Sequence, residues 1–477
     1  MNTWMKAGVP ITVILIIWIL PVPEGLTPNA WHFFAVFIGV IVGLILEPLP
    51  APAIGLIGVT FAAALQLVPQ PNGAAATTGS SLQWALSGFT DATVWLIFCA
   101  FMFTMGYEKT GLGKRIALWL MKKMGGTALG LGYAASLADL VLAPFIPSNT
   151  ARSGGTIYAV VKNIPPMYGS FPDSDRRKIG AYLMWTCLVA TCITSGMFLT
   201  AMAPNLLALS ILQKDAPNVV ITWMDWFKAL APVSIPLFIA APYLTYIFYP
   251  PTQKKFPETR KWAAAELEKL GPIAFREIAM ALVAIGALVM WIAGSKLMNA
   301  TQVAMSAVCI MIILSIVRWD DVARNHAAWN TLAWFATLVA MASGLNRVGF
   351  LKWLSTIAAG SLVGHSMFVV IFGLLAFYCL IHYFFASYTA QTTALFPIML
   401  ATGMAVPGMD MRYLVILLAG SMGVMGVITP FGTGASPIYA NCGYIPSKDY
   451  WALGGIFGLI FFVFYVAVSM VWMPMIL

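Results

Sequence analysis

A chain of 477 residues that is 60% apolar and 9% charged, with a mean hydropathy of +0.86, cannot fold as a water-exposed domain. Soluble folds spend about 25% of their residues on charge, and this length instead accommodates ten or more spans of about 20 residues. The positive surplus, net +9, is gathered in a few short loops, which argues against a nucleic-acid face and for orientation of a membrane protein.

Apolar runs at 9–22, 29–46, 51–69 and 88–106 predict four spans. The first continues into Pro21-Val22-Pro23-Glu24 with no small-residue cleavage site, so it reads as a retained span and not as a signal peptide. With a cytoplasmic N-terminus the chain is back inside near Tyr107. Lys109, Lys114, Arg115, Lys122 and Lys123 follow and support that side, and the apolar run 116–120 beside them predicts an amphipathic surface helix. Next come a run at 128–146, a break at Pro147-Ser148-Asn149-Thr150-Ala151-Arg152 and a short run to 161. Lys162, Arg176, Arg177 and Lys178 then mark the inside again. Inside before and inside after predicts a re-entrant hairpin.

A run at 179–213, interrupted at Ala203-Pro204-Asn205, crosses outward, and one at 225–250 returns. The most charged stretch, from Lys254 to Glu277, is a cytoplasmic connector with a helix predicted over Lys261–Leu270. Spans at 278–295, 302–317 and 329–344 place Arg347 and Lys352 outside. A second hairpin enters from there with its break at Ala386-Ser387-Tyr388-Thr389-Ala390-Gln391, followed by a broken run at 413–440 and a last span at 450–474. The fold class is an all-α polytopic membrane protein of about eleven spans plus two re-entrant hairpins, its C-terminus outside. The expected divisions are 1–127 and 278–356 as scaffold spans, 128–250 and 357–477 as the halves of a transport domain, and 251–277 as connector.

An internal repeat supports this order. Gly106, Lys109, Gly111 and Lys114 recur as Gly344, Arg347, Gly349 and Lys352 at a constant offset of 238, and Ser148 recurs as Ser387 at 239. One set lies inside and the other outside, so the repeat is inverted. Inverted repeats with broken helices at the midplane are the architecture of alternating-access transporters. A hairpin tip at membrane depth presents the start of its second helix, whose first N–H groups lack intrahelical acceptors and attract an anion. Ser148, Asn149 and Thr150 on one tip, with Ser387 and Thr389 on the other, predict two facing anion sites and a ligand with two anionic ends. The plainer role for these hydroxyls is helix capping. The broken runs Thr200-Ala201-Met202-Ala203-Pro204-Asn205 and Thr429-Pro430-Phe431-Gly432-Thr433-Gly434-Ala435-Ser436-Pro437 free further backbone groups.

These paired motifs and breaks resemble the divalent anion:sodium symporter (DASS) family along nearly the whole chain. The likeness is greatest to its exchanger branch of bacterial citrate/succinate and tartrate/succinate antiporters and the chloroplast 2-oxoglutarate/malate translocator. The resemblance implies a homodimer in the bilayer, an elevator movement, and substrate contacts from Ser148-Asn149-Thr150, Ser387-Tyr388-Thr389, Thr433 and Gly434. Sodium-coupled members resemble Ser-Asn-Thr in both hairpins and Thr-Pro-Pro-Asn in both breaks. Here Tyr388 replaces the second Asn and neither break carries the double proline, which weakens at least one sodium site.

Arg152, always charged at membrane depth, is the candidate for charge compensation, with a salt bridge to Asp139 as the competing and compatible role. His382 is a candidate proton site or a satisfied buried histidine. Asn205, Pro430, Gly432 and Ser436 are secondary candidates at the breaks. Six scattered cysteines without a CxxC read as small buried hydrophobes, and nothing points to a metal, a cofactor or nucleic acid. The expected function is sodium-independent exchange of C4–C5 dicarboxylates, possible substrates extending to tartrate or citrate. A sodium-coupled symporter is the alternative, and an intramembrane enzyme or a channel fits less well.

Overall fold

The computed structural model describes residues 3–294, 296–362, 365–385 and 387–477, so Ala386 of the second motif lies outside the described residues. The chain opens with α1 (Thr3–Ile19), α2 (Pro28–Leu46) and α3 (Ala51–Ala64). Helix α2 starts where it does because the Thr27 hydroxyl accepts the Ala30 N–H at 3.2 Å, and because Pro28, lacking an N–H, loses nothing in a first turn. The expected span at 88–106 is instead a bent pair: α4 (Thr78–Leu86) and a 3-10 turn at Ser87–Thr90 meet α5 (Ala92–Thr110) at 40°. Asp91 causes the restart, its carboxylate accepting from Thr93 N at 2.9 Å and Val94 N at 3.3 Å. After α5, Gly111 takes the left-handed conformation (φ 74°) and turns the chain into α6 (Leu112–Met124), the amphipathic helix.

Then come α7 (Ala128–Leu142), a π-helical segment at Thr150–Ile157, and the short α8 (Tyr158–Val161) and α9 (Ile164–Met167). Helix α10 (Gly180–Met197) is buried at every position. A helix apolar all round is a core helix. The break before α11 (Ala203–Asp215) falls at 198–202, ahead of the Ala203-Pro204-Asn205 expected to interrupt it. Pro204 sits in the first turn of α11, where proline starts a helix and does not break one.

Helix α12 (Trp223–Phe248) leads to α13 (Pro257–Lys269), the charged connector, and to α14 (Phe275–Ala293), α15 (Ala300–Ile313), α16 (Trp319–Ala323) and α17 (His326–Arg347). Past the left-handed Gly349 (φ 82°) lies α18 (Phe350–Leu362), which the hydropathy pattern did not announce. The chain closes with α19 (Met367–Ile381), a 3-10 turn at His382–Phe384, α20 (Tyr388–Met404), α21 (Met411–Met425), α22 (Ser436–Ala440) and α23 (Ser447–Ile476). The broken run expected at 413–440 is therefore one helix, an irregular stretch and a single turn.

At the centre α10 and α21 cross with their backbones in contact. A Cβ on Gly196 would sit 2.9 Å from the Gly420 carbonyl oxygen, and one on Gly423 2.5 Å from the Gly196 nitrogen. Only glycine allows that approach, the usual device for close helix packing in a bilayer. Helix α12 packs on α10, and α23 on α12 and α21, while α5 and α17 form a neighbouring group with α3 and α15. Six described helices are long and apolar enough to cross a membrane singly, including α2, α12 and α23, and α4–α5 adds a seventh if taken as one span.

Candidate functional site

Two side-chain clamps fold the broken segments back on themselves. Arg152 Nε donates to Asp139 Oδ2 at 3.2 Å, although thirteen residues of continuous helix would separate their backbones by about 20 Å. The chain has reversed between them. Its Nη1 donates to the carbonyls of Ile146 and Ala201, both at 2.9 Å, and Nη2 lies 3.1–3.3 Å from the hydroxyls of Thr191, Thr194 and Ser195. Arg152 is fully buried, and every direction of its planar donor fork meets an acceptor. Of its two expected roles, the salt bridge to Asp139 is the one the side chain makes. Paired with a buried carboxylate, it is a clamp joining α7, the tip, α10 and the first break, and it leaves no lone charge in an empty site.

The second unit repeats the clamp without charge. Gln391 Nε2 donates to the Tyr378 carbonyl at 2.6 Å, and these residues stand 239 positions after Arg152 and Asp139. Because the Gln391 amide nitrogen is spent there, its Oε1 accepts, so the His382 Nδ1, 2.6 Å away, carries the proton and donates. The His382 Nε2 lies against Gly432. Tyr388, expected at the substrate, is turned inward: its ring stacks on His382 at 5.3 Å, its hydroxyl donates to the Gly423 carbonyl at 3.3 Å, and 4% of it is exposed. It anchors the second tip to α21, and the large apolar ring explains why.

The tips themselves are capped as hydroxyl residues cap helices. Ser148 Oγ accepts from Ala151 N at 3.2 Å and Ser387 Oγ from Ala390 N at 3.1 Å. Ser148, Thr150, Ser387 and Thr389 remain half-buried, whereas Asn149 is buried and donates to Thr433 Oγ1 at 2.9 Å. Gly434, exposed, lies directly against the Thr150 hydroxyl, so the first tip rests on the second break. Behind it Ser153 bonds the Tyr439 hydroxyl at 2.7 Å.

The remaining candidates serve the breaks. Asn205 Nδ2 donates to the carbonyls of Ser195 (2.9 Å) and Phe198 (3.1 Å), closing the end of α10, while Ser436 Oγ donates to the Gly426 carbonyl at 3.3 Å. Pro430 and Gly432 shape the turn between them. Sequence reasoning missed the π-helical form of Thr150–Ile157, whose widened turn is common at functional sites, and the inward set of Thr191, Thr194 and Ser195 around Arg152. These three hydroxyls at helical spacing on a mostly apolar core helix were the available signal.

A family model for the sodium:sulfate symporter transmembrane region matches residues 1–477. The L-tartrate/succinate antiporter of Escherichia coli strain K12 is 47% identical over 481 residues, covering 99% of each chain, and that of Shigella sonnei strain Ss046 is 46% identical over the same extent. Among solved structures, the Alcanivorax borkumensis YdaH transporter aligns with a TM-score of 0.61 at 12% identity, over 93% of this chain and 98% of its own. Neisseria gonorrhoeae MtrF aligns with a TM-score of 0.54 at 12% identity over 97% of both chains. That identity speaks for the fold alone. With the match running through the whole sequence, the chain belongs to the sodium:sulfate symporter (DASS) family of membrane transporters.

Proposed function

We propose that the protein exchanges C4–C5 dicarboxylates by sodium-independent antiport, with succinate and tartrate the first candidates. The observation that carries this is the meeting of the first tip with the second break, where Asn149 donates to Thr433 and Thr150 abuts Gly434. In this reading the half-buried hydroxyls and helix starts of both repeats share one region of the membrane interior. Ser148 and Ser387 take the N–H groups of Ala151 and Ala390, so the N–H groups ahead of them in each first turn are what a carboxylate meets. The names of the full-length relatives supply the substrate class.

In this reading Ser148, Asn149, Thr150, Ser387, Thr389, Thr433 and Gly434 line the site. Tyr388, Arg152, Asp139 and His382 hold it in shape. The segments 128–250 and 357–477 travel past 1–127 and 278–356 as an elevator in each protomer of a homodimer, and the two clamped units are re-entrant hairpins. The basic loops favour an N-terminus in the cytoplasm of a bacterial cell and a C-terminus beyond its inner membrane. The chemistry is transport, with no bond made or broken.

Counterflow in proteoliposomes tests the proposal. Vesicles loaded with unlabelled succinate take up labelled succinate in sodium-free buffer, and empty vesicles do not. Strong uptake into empty vesicles driven by a sodium gradient would establish the symporter instead.

A further inference from the structure

The inverted repeat contains a matched pair of fastenings outside the substrate region. Helices α6 and α18 each begin just past a left-handed glycine, Gly111 (φ 74°) and Gly349 (φ 82°), at the offset of the repeat. Four residues on, each sends a side chain to a loop that holds another left-handed glycine. Arg115 Nη1 donates to the Gly271 carbonyl at 3.1 Å and Nη2 to that of Leu270 at 3.4 Å, while Nε meets Glu277 Oε1 at 3.0 Å. Trp353 Nε1 donates to the Glu24 carbonyl at 2.9 Å, with its ring against Gly25.

Gly271 (φ 71°) and Gly25 (φ 85°) stand just ahead of α14 and α2. Four of the eight left-handed glycines among the described residues thus serve one device built twice. The chemistry differs at the two ends. Arg115 and Glu277 form a mostly buried ion pair, their side chains 14% and 6% exposed, and Glu277 also caps α14 through Ala274 N at 3.0 Å. On the other side the hold is an indole N–H, backed by Phe350 stacked on Phe34 of α2 at 4.2 Å.

We propose that Arg115 and Trp353 are paired positioning residues that fasten α6 and α18 to α14 and α2, so that both helices stay with the scaffold while the clamped units travel. A fastening of this kind acts on translocation and not on the substrate, because neither residue touches the tips. The proposal rests on the transport reading, shifts the start of its second travelling segment from 357 to the end of α18 at Leu362, and adds to it the parts that do not move.

The test measures KM and maximal rate of succinate counterflow, with unfolding temperature in detergent, for Arg115→Gln, Arg115→Lys and Trp353→Phe. Losing the pair lowers the maximal rate about tenfold for Arg115→Gln and about threefold for Trp353→Phe, with KM within about twofold, the signature of a step after binding. Arg115→Lys, which keeps the ion pair, falls between Arg115→Gln and the parent. A second experiment introduces Glu24→Cys and Trp353→Cys in a chain freed of its native cysteines. The rate is low before, and recovers after, bridging with a short bifunctional thiol reagent. If bridging abolishes exchange, the helices must separate during transport and the proposal is overturned. Full rates in both Arg115→Gln and Trp353→Phe, or a KM that rises in step with the loss, overturn it as well. Should Arg115→Gln not insert, the Glu24/Trp353 bridge decides alone. No exchange by the parent protein under any loading would instead remove the transport reading.

Discussion

Arg152 illustrates how far a residue can be read from its neighbours in sequence. Its charge at membrane depth pointed to substrate compensation or to a salt bridge with Asp139, and its donors are consumed by Asp139, two carbonyls and three hydroxyls. Removing one member of a buried pair strands the other, which costs about 3–5 kcal/mol, whereas replacing both with neutral groups costs far less. Arg152→Gln is therefore expected to lower the unfolding temperature in detergent sharply, and Arg152→Gln with Asp139→Asn to restore most of it. A stable Arg152→Gln that binds substrate but does not exchange it would return the residue to charge compensation. Gln391, standing at the equivalent position, makes the same fold-back without charge. Its substitution by Leu should cost about 1–3 kcal/mol through the unpaired Tyr378 carbonyl, a smaller loss measured in the same way.

Among elements, the second break is the one on which the first tip rests. Gly434 faces the Thr150 hydroxyl with no room for a side chain. Gly434→Ala should leave insertion intact but lower exchange at least about tenfold by displacing the first tip, since small misplacements at a binding site are costly. Adding Thr150→Ala makes room for the new methyl group, so the pair should recover stability without recovering affinity. Equal exchange by Gly434→Ala and the parent would detach the second break from the site. The irregular path of this element was legible in its prolines and glycines. What could not be read was that α22 lasts one turn, held by the Ser436–Gly426 contact at its start and the Ser153–Tyr439 contact near its end.

On the scale of the whole molecule, the proposed site draws on both tips of the repeat, and in that reading a ligand bridging them offers an anion to each. Succinate should compete for counterflow while butyrate, leaving one helix start desolvated and unpaired, should bind at least about tenfold more weakly. Competition by butyrate equal to that of succinate would refute the two-tip arrangement.

The membrane class, the repeat offset, the amphipathic helix before the first hairpin, the charged connector and the hydroxyl-bearing breaks were all present in the linear chain. Each is fixed by local hydropathy, by loop charge or by proline and glycine, which act within a few residues. The family was legible for the same reason, its motifs being short and contiguous. Tertiary structure alone decided which side chains turn inward. Tyr388 lies inside a substrate-like motif yet turns inward to Gly423, while Thr191, Thr194 and Ser195 on the wholly buried α10 gather around Arg152. Those outcomes depend on which helix lies across the backbone, here α10 against α21 at Gly196 and Gly423, and a sequence records the glycine but not the helix that crosses it.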